Sequence, residues 1–324
     1  MISLTSSTGE PLHDVDVLKM SKTVTTDVEL VDSINLLKDE KDAIILVHNY
    51  QPIEIYEIAD KIGDSLELCR LAQRTKSETI VFCGVDFMAE SAAVINPERT
   101  VLIPERHARC PMAAMASVPQ VQRMRSLHSD AAIVAYINTS AAVKAVSDIC
   151  CTSANAVRVV DSLDEEEAIL LPDCNLAVYV ATQSSKRIIP WPGHCYVHNR
   201  ILEDEVRKAK SLHPDANVLV HPECPPAVWS LADSVESTNG MLRFVRESDA
   251  SEFIIVTERG MVNRLQLEEP NRRYYAVGGV CSQMKQNSLK KVHDALTSMQ
   301  HRVIVPDDVA DGARRALERM LQVG

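Results

Sequence analysis

Cys110, Cys195 and Cys281 stand 85 and 86 residues apart, and no other three of the nine cysteines in the chain share such a spacing. Thiolates are soft ligands, and three of them brought to one point suit a cubane iron-sulfur cluster whose fourth iron has no protein ligand. An open iron of that kind is a Lewis acid able to polarise a hydroxyl or carboxylate and help expel water. The same spacing admits zinc held by three Cys and a fourth ligand such as His198 or Glu223. Cys69, Cys83, Cys150, Cys151, Cys174 and Cys224 fall outside the spacing and read as packing residues.

The period extends beyond the thiols. Three polar triplets, His48-Asn49-Tyr50, Tyr136-Ile137-Asn138 and His221-Pro222-Glu223, recur at offsets of 88 and 85. Three tracts carry an Asp followed by a hydroxyl five positions on, at Asp60/Ser65, Asp148/Ser153 and Asp233/Thr238, again 88 and 85 apart. Ser65, Ser153, Ser237 and Thr238 precede segments of helical spacing, where a hydroxyl can cap a helix and free N–H groups attract anions. His48, Tyr50, Tyr136, Asn138, His198, His221 and Glu223 supply acids, bases and hydrogen-bond donors. Glu223 is the one carboxylate in the triplets and the leading general acid/base; burial pushes such a group toward neutrality and nearby cations oppose that.

The elements that must carry these groups are short. Apolar runs Ile44–Val47, Ile133–Ala135 and Val218–Val220 lead into the triplets, and Thr79–Phe82, Ala168–Leu171 and Phe253–Val256 read as matching buried strands. Segments of helical spacing lie between them, as in 66–73, 87–94, 143–146 and 241–245. Strand alternating with helix predicts parallel sheets, and the tandem repetition predicts an α/β chain of three α/β/α three-layer units about a pseudo-threefold axis. Unit 1 is expected over 36–125, unit 2 over 126–212 and unit 3 over 213–300, with 1–35 and 301–324 as terminal extensions without evident chemistry. Ligands of parallel sheets gather at the carboxyl ends of strands, where the triplets stand.

Composition narrows the function. A net charge of −11 over 324 residues offers no basic footprint for nucleic acid. No apolar run approaches the roughly 18–20 residues of a membrane span, and the first twenty residues lack the pattern of a secretory signal. Scattered, odd-numbered cysteines fit reduced thiols and a cytoplasmic setting.

In these residues the chain resembles the quinolinate synthase family, the A protein of bacterial NAD biosynthesis. The resemblance runs through His48-Asn49-Tyr50-Gln51, Gly63-Asp64-Ser65-Leu66-Glu67, Gly84-Val85-Asp86-Phe87-Met88-Ala89-Glu90, Tyr136-Ile137-Asn138-Thr139-Ser140, Thr152-Ser153-Ala154-Asn155-Ala156, Trp191-Pro192-Gly193-His194-Cys195, His221-Pro222-Glu223-Cys224, Thr257-Glu258 and Cys281 with Met284-Lys285. It covers roughly 35–300.

The resemblance implies an enzyme condensing iminoaspartate with dihydroxyacetone phosphate to quinolinate, phosphate and two waters. It implies a [4Fe-4S] cluster on Cys110, Cys195 and Cys281, and a pocket lined by His48, Tyr50, Ser65, Tyr136, Asn138, Ser153, His198, His221, Glu223, Ser237 and Thr238. Tyr50, His221 and Glu223 are the expected catalytic groups, Tyr50 and Glu223 as proton-transfer groups. An L-aspartate-oxidising enzyme as transient partner and the iron-sulfur assembly machinery follow by the same likeness. Alternatives are another iron-sulfur hydro-lyase and a non-catalytic iron-sulfur sensor. The chain departs from the family at Asn49, where Tyr is common, and has Tyr275 and Gly278 where some members place extra cysteines before Cys281.

Overall fold

The structure, a computed structural model, describes residues 28–323. The Ser/Thr/Asp-rich start of the chain, and with it most of the expected 1–35 extension, lies outside the described residues. Among the described residues the strands are β1 Ala43–His48, β2 Lys61–Gly63, β3 Thr79–Cys83, β4 Thr100–Leu102, β5 Ala131–Tyr136, β6 Ile149–Cys151, β7 Glu167–Leu171, β8 Arg187–Pro190, β9 Asn217–Val220, β10 Ser234–Val235, β11 Glu252–Val256 and β12 Arg273–Val277. They form three parallel four-stranded sheets in the orders β2-β1-β3-β4, β6-β5-β7-β8 and β10-β9-β11-β12. Three identical topologies in tandem are what the repeat predicts.

The central strands bury nearly every residue, β3 and β5 along their whole length, because helices cover both faces of each sheet. That explains why these strands read as continuous apolar runs rather than alternating ones. The short partners β2, β6 and β10 fall inside the Asp tracts and carry too few apolar residues to be read as strands. The tracts also disclose why Asp recurs. Asp60, Asp148 and Asp233 accept at 2.7 Å from the backbone N–H of Ile45, Ile133 and Val218, while their own N–H groups donate to the carbonyls of the same three residues. Each Asp therefore pins the first strand of its sheet to the second.

The helices after the three cysteine loops close the ring. Val118–Leu127 packs on β5, Glu203–Leu212 on β11 and β12, and Leu289–Ser298 on β3 and against the helix Val28–Glu40. Each of these helices lies on the sheet of the following unit, the third returning to the first sheet through Leu289, Val292 and Leu296, which share a core with Ile45, Val47 and Val81. The last helix, Asp307–Val323, lies over β6 and the short helix Ala141–Ala145, with Gly312 close against Ala145. Packing of units on one another aims the carboxyl ends of all three sheets at a shared centre.

Candidate functional site

One central cavity lies where the strand ends meet. His48, Tyr50, Ser65, Tyr136, Asn138, Ser153, His198, His221, Glu223 and Thr238 all line it, and so do Cys110, Cys195 and Cys281. Ser237 does not; it lines an adjoining cleft that shares Asp64 and Ser153 with the cavity. Of the nine cysteines, all free thiols, these three and Cys174 are only partly buried, whereas the other five are packed into the interior.

The strand-end triplets have a common local geometry. The Nδ1 of His48 accepts from the N–H of Tyr50 at 3.2 Å, and the Nδ1 of His221 accepts from the N–H of Glu223 at 3.3 Å. Burial, with Lys285 near His48 and His198 near His221, pushes both imidazoles down to about 3. Both rings are therefore neutral near pH 7, with the proton on Nε2 as the remaining donor. His221 stacks on His198 at 4.6 Å between ring centres, and His48 meets Tyr50 edge-on at 4.9 Å.

A continuous hydrogen-bonded chain crosses the three units. Tyr136 donates to Glu223 Oε1 at 2.5 Å, and His198 Nδ1 meets Glu223 Oε2 at 2.9 Å. His198 Nε2 contacts Thr257 Oγ1 at 2.8 Å, which in turn contacts the Tyr50 hydroxyl at 2.7 Å. Because a carboxylate only accepts, one consistent orientation has every donor running toward Glu223: Tyr50 to Thr257, Thr257 to His198, His198 and Tyr136 to Glu223. Burial opposes ionisation of Glu223, yet the facing His198, its hydrogen bond, the nearby His221 and the Tyr136 hydroxyl outweigh it and hold the carboxyl well below its ordinary range. Of the two opposing effects expected from the sequence, neighbours win over burial. Burial keeps Tyr50 and Tyr136 protonated, with Glu223 adding to it.

Capping at the helix ends differs from the sequence expectation. Asp64, not Ser65, caps Ser65–Arg74, accepting from the N–H of Glu67 at 2.9 Å. Ser65 is left facing the cavity with no side-chain hydrogen bond among the described residues. Ser237 does cap Thr238–Glu247, through the N–H of Gly240 at 3.1 Å. The helix after Ser153 is only Ala156–Asp161, and there Asn155 ties back to the N–H and hydroxyl of Thr152. Two of the three helices are thus long enough to present a useful positive end. Asn49, buried below the cavity, donates to Thr238 Oγ1 at 2.8 Å and to Asn239 at 3.0 Å.

Burial pushes the Cys110 thiol up to about 12 and raises Cys195 and Cys281 as well. Thiolates in such a place need a cation, and among the described residues no Lys or Arg lines the cavity. Cys195, His198 and Glu223 bring donor atoms within 4.8 Å of one another, a possible metal group. Both His198 nitrogens and both Glu223 oxygens are already hydrogen-bonded, however, so the least committed donors are the sulfurs, of which Cys281 accepts from the Tyr196 hydroxyl at 3.8 Å. A three-thiolate site fits this donor set better than zinc with a His or Glu ligand.

Sequence reading gave no role to Thr257, the link between Tyr50 and His198, or to Glu258, whose carboxylate bonds Lys285, which also donates to the Tyr50 carbonyl. It gave none to Asp86 and Asp173 either. The signal was available: Asp86, Asp173 and Glu258 are 87 and 85 residues apart, inside the same period. Gly278, at φ +152°, is required by the approach to the Thr257 carbonyl, where a Cβ would collide.

Comparison with known proteins agrees in extent. Residues 32–322 match the model of the family described as quinolinate synthetase A protein. A quinolinate synthase of Methanothermobacter thermautotrophicus is 52% identical over 299 residues, covering 91% of this chain and 98% of that protein. One from Methanoregula boonei is 51% identical over 294 residues, covering 90% and 97%, and one from Geobacter metallireducens is 48% identical over 292, covering 90% and 96%.

Proposed function

The chain belongs to the quinolinate synthetase A protein family of enzymes, and from that membership we propose that it condenses iminoaspartate with dihydroxyacetone phosphate to quinolinate, phosphate and two waters. The observation that carries the reading is the meeting in one cavity of three thiols from three units with the chain Tyr50–Thr257–His198–Glu223–Tyr136. In this reading Cys110, Cys195 and Cys281 hold a [4Fe-4S] cluster. When bound, that cluster supplies a Lewis-acidic iron that eases loss of hydroxide.

The remaining chemistry is assigned to the protein. Neutral His48 and His221 present Nε2–H donors to substrate carboxylates or carbonyls. Ser65, Ser153 and Thr238, beside the ends of Ser65–Arg74 and Thr238–Glu247, offer hydroxyls and backbone N–H groups to phosphate, which needs no basic side chain there. Holding two reactants in register supplies several kcal/mol of the barrier. Tyr50 exchanges a proton with the substrate, the chain through Thr257 links it to His198, and the Glu223 carboxylate, held ionised, steadies a proton carried on His198. Tyr136 and Asn138 orient the ligand and the Glu223 carboxylate.

Among the described residues no helix is long and apolar enough to cross a membrane. With all nine thiols free, a reducing cytoplasmic setting, loading by iron-sulfur assembly machinery and supply by an L-aspartate-oxidising enzyme complete the proposal. Anaerobic purification with iron and sulfide analysis, then incubation with dihydroxyacetone phosphate and freshly generated iminoaspartate, tests it. Quinolinate formation with an iron-loaded chain is expected. Zinc in place of iron overturns the cofactor, and absence of quinolinate from the iron-loaded chain overturns the reaction.

A further inference from the structure

Each cysteine loop is fastened to the core at two points, and the fastening repeats in all three units. In the first, Asp86 Oδ1 accepts the N–H of Cys110 at 3.1 Å, and the N–H of Asp86 donates to Ala108 at 2.9 Å. In the second, Asp173 Oδ2 accepts the N–H of Cys195 at 2.9 Å, and Cys174 donates to Gly193 at 2.8 Å. In the third, Glu258 Oε1 accepts the N–H of Cys281 at 3.0 Å, and Arg259 donates to Gly279 at 3.0 Å. The carbonyl engaged always belongs to the residue two before the cysteine. Each acid stands where the third strand of its sheet gives way to a helix, so the loop is tied to the most buried part of its unit.

Capping alone does not account for these acids. Asp173 spends one oxygen on Leu176, at its helix start, and the other on Cys195. Glu258 likewise divides its oxygens between Gly260 and Cys281. Asp173 is 0% and Glu258 1% exposed, and an acid that deeply placed is costly unless its bonds are needed. We infer that Asp86, Asp173 and Glu258 are positioning residues for the three-thiolate site, setting each cysteine backbone so that the three sulfurs face a common point. The inference rests on reading Cys110, Cys195 and Cys281 as one site.

The three acids differ in a way that makes the inference testable. Asp86 makes both its side-chain bonds, to Phe87 at 2.9 Å and to Cys110, through a single oxygen, so Asn preserves them. Asp173 and Glu258 use both oxygens, so an amide forfeits one. The experiment takes full-length wild-type chain, Asp86→Ala, Asp86→Asn and Glu258→Gln, reconstituted anaerobically with iron and sulfide. It reads iron and sulfide per chain, the rate of iron loss to a chelator, the reduction potential and the melting temperature of the metal-free chain.

Asp86→Ala is expected to lose iron about tenfold faster than wild type, the scale on which groups orienting metal ligands act. Asp86→Asn should stay within about twofold of wild type, and its potential should move positive because a negative charge beside the site has gone. Iron loss from Asp86→Ala at the wild-type rate, or from Asp86→Asn as fast as from Asp86→Ala, overturns the inference. If Asp86→Ala does not fold, Glu258→Gln carries the test: faster loss supports the inference and the wild-type rate overturns it. A wild-type chain that takes up no iron removes the three-thiolate reading and this inference with it. Iron held equally by wild type and variants removes this inference alone.

Discussion

The hydroxyl of Tyr136, from the end of β5, donates a 2.5 Å hydrogen bond to the carboxylate of Glu223, which follows β9, so a buried polar contact in the cavity joins two different units. Neither residue can be displaced without disturbing how the second and third sheets face each other. Glu223 receives His198 on its other oxygen, and as an ionised group with two donors it supplies the negative charge that steadies a proton passed along the chain to His198.

Glu223→Gln removes that charge while keeping shape. The amide retains one acceptor but offers N–H where a donor already points, so proton delivery stops. Turnover is expected to fall by about 10²–10⁴, the usual worth of a positioned acid/base group. Iron content should match wild type, since Glu223 holds no thiol loop. Steady-state quinolinate formation beside iron analysis checks this, and unaltered activity removes Glu223 from the mechanism.

Thr257→Val interrupts the chain in the middle. Valine copies the shape of threonine and leaves the Tyr50 hydroxyl and His198 Nε2 without their partner. A drop in kcat of about 10- to 100-fold is expected, with Thr257→Ser restoring most of it because the hydroxyl alone carries the link. A Ser variant as slow as Val would show that the methyl group, and hence packing, is what matters.

The repeat made much of this architecture legible. Parallel sheets followed from apolar runs alternating with helical segments, and convergence followed from the spacing of Cys110, Cys195 and Cys281. What stayed hidden was tertiary. Lys61–Gly63 and Ser234–Val235 are strands only because Asp60 and Asp233 pin them beside β1 and β9, a bond that leaves no hydrophobic pattern. Ser65 looked like the cap because Ser, Asp and Asn are equivalent in propensity, and only backbone geometry assigns the role to Asp64. The roles of Asp86, Asp173 and Glu258 escaped because Glu replaces Asp in the third unit and a one-methylene difference masks the equivalence.

Asp64 also yields a prediction in pH. Burial, partly opposed by the N–H of Glu67, raises its carboxyl from 3.8 to about 6. The folded chain therefore holds a proton there between about pH 4 and pH 6 that the unfolded chain has released, and stability declines as pH rises through this window. A shift of about two units corresponds to roughly 3 kcal/mol, an upper figure for one group. Asp64→Asn keeps the cap and removes the ionisation, so it should stabilise the chain at pH 8 and leave it unchanged near pH 4. Urea unfolding at the two values measures the difference, and equal effects at both would rule out the burial argument.

Asn49 acts on the cavity through Thr238. It is completely buried, and its amide N–H groups go to Thr238 Oγ1 and Asn239 Oδ1. By donating to Thr238 it occupies a lone pair of that hydroxyl and leaves the Thr238 proton free to turn toward a ligand in the cavity. Asn49→Ala releases the hydroxyl to rotate, costing about 1 kcal/mol of ligand orientation, or roughly a fivefold rise in KM for the phosphate-bearing substrate. The kcat should stay within about twofold, because the Asn49 side chain bonds no group of the proton chain. Measuring KM separately for the two substrates decides the matter: a rise confined to dihydroxyacetone phosphate places the phosphate beside Thr238, and a rise confined to iminoaspartate moves it elsewhere.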